Sequence, residues 1–357
     1  MNDRPDGIAP GVALAILAAV LFGASTPFAK LVLGNGVSPW LLASLLYLGS
    51  GIGLTIVHAA RGMFGSNAAE APLVRADLPW LALVILCGGA IAPVLLMAGL
   101  ATTPASTASL LLNLEGLATL AIAWLVFREN VDRRLLIGAA AILGGAVLLS
   151  WRGGPAGGGQ GVLAIAGACL AWGIDNNLTR KLSSADPVQI AMLKGLAAGA
   201  VNLALALTLG ASLPPLPVVA GIALIGFLGY GVSLVMFVLA LRHLGTARSG
   251  AYFSTAPFIG ALLAVALFGE PITLLLIAAG LLMAIGLWLH LTESHDHDHV
   301  HETLEHEHRH VHDSHHQHDH PPGIPPGAPH SHWHRHAPMA HRHAHYPDLH
   351  HRHRHVH

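Results

Sequence analysis

Long apolar runs, each closed by a short polar or charged stretch, recur along the chain as far as residue 291 and then stop. Ten can be drawn, at about 11–32, 38–58, 78–100, 104–127, 134–151, 161–181, 187–210, 217–241, 248–268 and 272–291. A bilayer crossing needs roughly 20 mainly apolar residues, so each run predicts one crossing. The fifth is short and Gly-rich. None alternates with period 2, as a barrel strand would, and in hydrocarbon only helices and closed barrels satisfy the backbone. The pattern predicts an all-α polytopic membrane protein with ten transmembrane helices.

Composition agrees. Apolar residues make up 53 % of the chain and charged ones 10 %, where a soluble domain carries about 25 % charged residues. Cys87 and Cys169 fall in different predicted helices and carry no redox signal. The first run is too long for a cleavable signal peptide and leads straight into the array. The expected surroundings are a lipid bilayer, with no nucleic acid as partner.

Charge between the runs sets an orientation. With the N-terminus cytoplasmic, the inner loops hold Arg4, Arg61, Arg75, Arg128, Arg133, Arg134, Arg180, Lys181, Arg242 and Arg248, and the outer loops hold Lys30 and Arg152. Such a bias places both termini in the cytoplasm of a bacterial inner membrane, since an even number of crossings returns the chain to its starting side.

The chain also repeats itself. Ala123-Trp124-Leu125-Val126-Phe127-Arg128-Glu129 reads against Ala264-Val265-Ala266-Leu267-Phe268-Gly269-Glu270, and Gly145 and Gly286 each stand sixteen residues past the glutamate. Phe22-Gly23 pairs with Trp172-Gly173, and seven residues after each glycine comes a cation, Lys30 or Arg180. Each copy holds five crossings, so the second enters from the opposite face and the repeat is inverted. The units are expected over 8–151 and 161–291. Duplicated, inverted helical units in a membrane are the architecture of secondary transporters.

These features resemble the EamA-type domains of the drug/metabolite transporter superfamily, across roughly residues 8–291. The second copy matches better, through Phe268-Gly269-Glu270-Pro271-Ile272-Thr273. The first reads Arg128-Glu129-Asn130 instead of Gly-Glu, and its fourth helix carries Glu115 near where the family has a proline, as the second copy has Pro257. The resemblance implies a substrate path between the halves, alternating access, and mostly export of small metabolites or drugs. Glu129 and Glu270 read as structural carboxylates that fix a turn at a helix end.

Charges inside the runs are few. Glu115 lies eleven residues into the fourth run, about 16 Å down a helix rising 1.5 Å per residue. An ionised carboxylate at that depth must face a cavity, pair with a cation or be protonated. Glu115 is thus either a proton-coupling or substrate-amine site, or a protonated packing residue; Asn113, two residues away, points elsewhere. Asp175 and Lys194 come out at matching depths, about 9 and 10 Å from the same surface, on helices joined by a short loop. They are expected to form a buried ion pair, either static or a gate. Of Asn176 and Asn177, at most one shares the Asp175 face, and Asn176 is a weak cavity candidate. Tyr252 could offer a hydroxyl or ring to substrate, or simply pack. Pro27, Pro93, Pro104 and Pro257, in or near spans, can kink helices.

Residues 292–357 are of another kind. Of the 27 histidines, 24 lie between His295 and His357, with acidic residues first, Pro321–Pro329 next and arginines last. Such a segment cannot bury a core and is expected to be a disordered cytoplasmic tail. Neutral imidazole suits Ni, Co, Zn and Cu, and the alternating His295, His297, His299, His301, His306, His308, His310 and His312 predict loose, multi-site metal binding. The alternatives are incidental chelation or a pH-responsive polycation.

Three classes of function follow: a secondary transporter of a small polar or amphipathic solute, proton-coupled or exchanging; an efflux transporter for a divalent metal or chelate, with the tail as collector or sensor; and a membrane enzyme. The runs hold one mid-depth carboxylate and no histidine cluster, which argues against a bare-ion pathway. No nucleophile–base arrangement and no roomy loop support an enzyme. The transporter reading leads, with metal cargo second; no cofactor is required, and the tail could bind a divalent transition metal.

Overall fold

The computed structural model describes residues 8–63, 75–127, 133–150, 158–179, 186–244 and 246–292, the single positions 73, 131 and 182, and four stretches of the tail. The first unit contains α1 (Ile8–Gly34), α2 (Pro39–Met63), α3 (Leu78–Val84), α4 (Ala92–Thr102), α5 (Ala105–Leu111), α6 (Leu114–Leu125) and α7 (Arg133–Ser150). The second contains α8 (Gly158–Thr179), α9 (Pro187–Thr208), α10 (Leu216–Gly226), α11 (Ser233–Leu244), α12 (Thr246–Phe253), α13 (Ala256–Phe268) and α14 (Leu274–Leu291). Residue types at the ends explain several boundaries. The Asp186 side chain accepts from Val188 N at 2.8 Å with Pro187 in the first turn of α9, and Thr273 accepts from Leu276 N at the start of α14.

Among the described residues, nine helical stretches are long and apolar enough to cross a membrane, and Ala256–Phe268 is a shorter apolar helix. The ninth predicted crossing, 248–268, is present in two pieces: α12 ends at Phe253 and α13 begins at Ala256. The fourth, 104–127, is likewise not one helix, because it breaks between Leu111 and Leu114. The third and eighth crossings each contain a π-helical stretch, Ile85–Ile91 and Phe227–Val232. Both units therefore interrupt the same two helices at corresponding places. Pro93 follows the first π stretch, Pro104 separates α4 from α5, Pro257 lies in the first turn of α13, and Pro27 sits inside α1.

Packing obeys a pseudo-twofold relation. Helices α2 and α9 cross each other, as do α7 and α14, while α1 packs on α11 and α13 just as α8 packs on α4 and α6. The repeated glycines make the crossed contacts. A Cβ on Gly23 would collide with the backbone of Ala256 in α13, and one on Gly173 would meet Ala118 and Thr119 in α6. Gly138 and Gly286 likewise meet where α7 crosses α14. The molecule is inside-out by the standard of a water-soluble protein. Leu274 and Leu216 are 86 % and 78 % exposed, whereas Ser44, Ser109, Asn202 and Asp175 are buried, as lipid-facing and bundle-facing positions require.

Beyond α14, the described parts of the tail are four short strands: β1 (His295–His301), β2 (Leu304–His310), β3 (His330–His336) and β4 (Met339–His345). They pair antiparallel as β1 with β4 and β2 with β3.

Candidate functional site

Two constellations sit where the units meet. The first surrounds the junction between α4 and α5. Pro104 cannot continue α4, which leaves carbonyls free behind it and amides free ahead of it. Lys30 of α1 donates to the carbonyls of Leu100 at 2.5 Å, Ala101 at 3.1 Å and Thr103 at 3.0 Å. Glu270, from the other unit, accepts from Ala105 N at 2.7 Å, from Ser106 N at 3.0 Å and from the Ser106 hydroxyl. A cation on a helix C-terminus and a carboxylate on a helix N-terminus each complement the helix dipole. Gly269 makes this possible: α13 ends at Phe268, and Gly269 takes φ +59°, turning the chain so that Glu270 reaches across. Glu270 was expected to fix a turn at a helix end, and it accepts from the first amides of a helix of the opposite unit. The matching Glu129 and Arg180 lie outside the described residues.

The second constellation lies at the breaks. Glu115 stands in the first turn of α6, just past the interruption at Leu112–Asn113, with the positive end of a half-helix beneath it. Its Oε1 accepts from Asn176 Nδ2 of α8 at 3.0 Å, and Asn176 also reaches Thr119 Oγ1 at 3.2 Å. The neighbouring Asp175 turns the other way. It forms an ion pair with Lys194 of α9 and accepts from Thr179 Oγ1 at 3.2 Å. Asp175 is almost fully buried and Lys194 largely so. Glu115 lies within electrostatic reach of both. Asn177 donates to the carbonyls of Gly173 and Thr119 and serves packing, while Asn113 donates to Leu110 O at 2.8 Å and faces Met283. The structure thus brings Glu115, Asn176, Asp175 and Lys194 together and leaves Asn113 apart.

The π-helical stretch in the third crossing completes this seam. Its wider turn frees carbonyls for side chains: Gly88 O accepts from Tyr47 Oη at 2.8 Å and Trp172 Nε1 at 3.0 Å. Asn202 Nδ2 lies 3.3 Å from the carbonyls of both Gly89 and Ala90. Gly88 must lack a side chain, because a Cβ there would strike the Asp175 carboxylate. An aromatic row continues from Tyr47: ring centroids are 5.6 Å apart for Tyr47–Tyr230, 5.8 Å for Tyr230–Phe22, 5.3 Å for Phe22–Phe253 and 4.7 Å for Phe253–Phe237. Tyr252 ends α12 beside Phe253, half-buried. Sequence reasoning missed Tyr47, Trp172, Tyr230 and Asn202. Only Trp172 carried a signal, as the residue aligned with Phe22 in the repeat.

Chemically, this junction of two half-units presents a carboxylate bonded to an amide, one closed ion pair and an aromatic row.

A model of the EamA-like transporter family matches residues 9–151 and again 159–292. An uncharacterized transporter of Methanothermobacter thermautotrophicus is 28 % identical over 291 residues, covering 77 % of this chain and 84 % of that protein. A solved structure described only as a protein crystal structure superposes with a TM-score of 0.57 at 20 % identity, over 81 % of this chain and 96 % of its own, and so shares the fold. With two matches that together span most of its length, the chain belongs to the EamA-like transporter family and is a membrane transporter of a small solute, not an enzyme.

Proposed function

We propose that the protein is a secondary exporter in the inner membrane of a bacterium, moving a small amine-bearing metabolite, amino acid or drug by alternating access and coupled to protons or to exchange. One observation carries this reading: the Glu115 carboxylate stands at the start of a broken helix, held by Asn176 of the opposite unit, within electrostatic reach of Tyr47 and Tyr230 at one end of the aromatic row. A carboxylate next to aromatic faces suits an ammonium with an apolar body. A group held by both halves is also sensitive to their relative movement. With both termini cytoplasmic, as loop charge argues, the Lys30–Glu270 junction lies at the outer face and holds that side shut.

A tolerance screen tests the reading. Cells expressing wild type are expected to withstand at least one toxic amine or amino-acid analogue better than cells expressing Glu115→Gln. Equal tolerance across a broad amine panel would remove Glu115 from substrate recognition.

The histidine-rich tail favours metal or chelate cargo as the second reading. Against it, the described residues include no group of three or more His, Cys, Asp or Glu side chains able to hold an ion. Deleting residues 292–357 separates the two, since unchanged tolerance to Ni, Co, Zn and Cu would count against metal cargo.

A further inference from the structure

Helices α7 and α14 close the two units, and the start of one is tied to the end of the other. Arg134, in the first turn of α7, donates to the Thr292 hydroxyl just past α14 at 2.7 Å. Its guanidinium lies over the Trp288 ring, 5.5 Å from the centroid. The Thr292 hydroxyl in turn donates to Trp288 O at 2.7 Å, and His290 Nε2 lies 3.0 Å from Leu135 O. Trp288 is 58 % exposed, and Arg133 is exposed beside Arg134. A guanidinium has five N–H donors. Among the described residues Arg134 spends one on Thr292, and no carboxylate pairs with either arginine.

The repeat offers an internal control. The offset that aligns Gly145 with Gly286 puts Leu274 and Leu275 at the places of Arg133 and Arg134, and Val147 at that of Trp288. Leu274 and Val147 are exposed, so the corresponding rim carries neither cation nor ring there. Helices α7 and α14 thus cross at that end without such residues, and packing alone does not explain them. What Arg133, Arg134 and Trp288 share is a charged, aromatic rim at the end of an apolar face. Leu281 and Ile285 lie seven and three residues before Trp288, Ile137 lies three after Arg134, and all three are exposed.

We propose that this rim is a binding site for the headgroup of an anionic phospholipid. Arg133 and Arg134 hold the phosphate, for which the planar guanidinium fork is suited. The Trp288 ring takes the interfacial glycerol region, and an acyl chain lies along Ile137, Ile285 and Leu281. Loop charge puts the rim at the cytoplasmic surface, where clustered cations attract anionic lipid. Because the cations come from the first unit and the ring from the second, the lipid reinforces the crossing of α7 with α14. Neither Glu115 nor the identity of the transported solute enters into this inference.

Native mass spectrometry of the full chain in detergent, with dioleoyl phosphatidylglycerol or dioleoyl phosphatidylcholine added, tests it. Wild type is expected to hold one phosphatidylglycerol about tenfold more tightly than phosphatidylcholine. Arg133→Leu with Arg134→Leu installs the residues of the second copy and should abolish that preference. Arg133→Gln with Arg134→Gln, which can still donate to Thr292, should do the same, so a folding failure of the first variant leaves the test intact. Arg75→Leu removes an exposed arginine ahead of α3 and should leave the preference unchanged. Equal binding of the two lipids to wild type, or a preference that survives in the glutamine variant, would overturn the proposal. So would an equal loss in Arg75→Leu, which would show diffuse attraction to net charge, or a dimer mass that excludes the lipid, which would give this face to a second copy.

Discussion

The two units have the same breaks and different chemistry. Each interrupts its third crossing with a π-helical stretch and its fourth with a non-helical step, and each packs a glycine of its first helix onto the other's fourth. Yet where α6 presents Glu115 in its first turn, α13 presents Ala256 and Pro257. Where α8 carries Asp175, two residues past Gly173, α1 carries the neutral Ser25, whose hydroxyl bonds Phe22 O at 2.6 Å. Duplication supplied two halves of one architecture, and of these equivalent positions only those on α6 and α8 carry charge.

The strongest test of that contrast removes the unshared carboxylate. Glu115→Gln keeps the hydrogen bond to Asn176 within reach but deletes the ionisable group, and pH-dependent flux in proteoliposomes is expected to disappear, a loss of at least about tenfold at the wild-type optimum. Flux that keeps its pH dependence would assign coupling elsewhere. The next effect is on stability. Lys194→Met leaves Asp175 buried without its cation and should cost about 3 kcal/mol, read as a lowered Tm in detergent, whereas Asp175→Asn with Lys194→Met should recover most of it. A double variant as damaged as the single would mean that Lys194 acts through packing and not through the pair.

Much of the scaffold was legible in the sequence. Apolar runs and the Glu129/Glu270 repeat predicted five crossings per unit, and depth arithmetic brought Asp175 to Lys194 because a separation of 19 residues spans only one short turn. The breaks were not legible. Nothing in Leu110-Leu111-Leu112-Asn113-Leu114 marks an interruption, since no glycine or proline is present. Glu270 was recognised as structural, but its targets lie 164 and 165 residues away, and no local pattern encodes a partner at that distance. The aromatic row failed for the same reason: Phe22, Tyr47, Tyr230 and Phe253 come from four separate elements, and each alone reads as ordinary apolar filling.

The junction at the face contrasts with the mid-depth seam, and a milder substitution probes it. Glu270→Gln can still accept from one of the amides of Ala105 and Ser106, but it loses charge-assisted bonding, worth about 1.5–3 kcal/mol for a charged acceptor. The loss should appear as a modest fall in Tm. It should also raise labelling of a cysteine introduced at exposed Thr102, beside the junction, while Glu115-dependent recognition of solute is preserved. A drop in affinity with no change in labelling would instead put Glu270 in the solute path.

Tyr252→Phe should give the smallest effect, and its smallness is informative. Tyr252 and Phe253 are adjacent on α12, so they point about 100° apart. Phe253 stacks between Phe22 and Phe237. Tyr252 provides the backbone carbonyl that accepts from the Thr255 hydroxyl at 2.6 Å and from Thr255 N at 3.1 Å, closing the step between α12 and α13. That role belongs to the main chain, and phenylalanine preserves it. Transport by Tyr252→Phe is therefore expected to stay within about twofold of wild type, whereas Phe253→Ala, which opens a gap in a packed aromatic row, should lower both Tm and flux. A large loss from removing the Tyr252 hydroxyl alone would extend the site into the second unit's broken helix, and the two units would then be less unlike than their charges suggest.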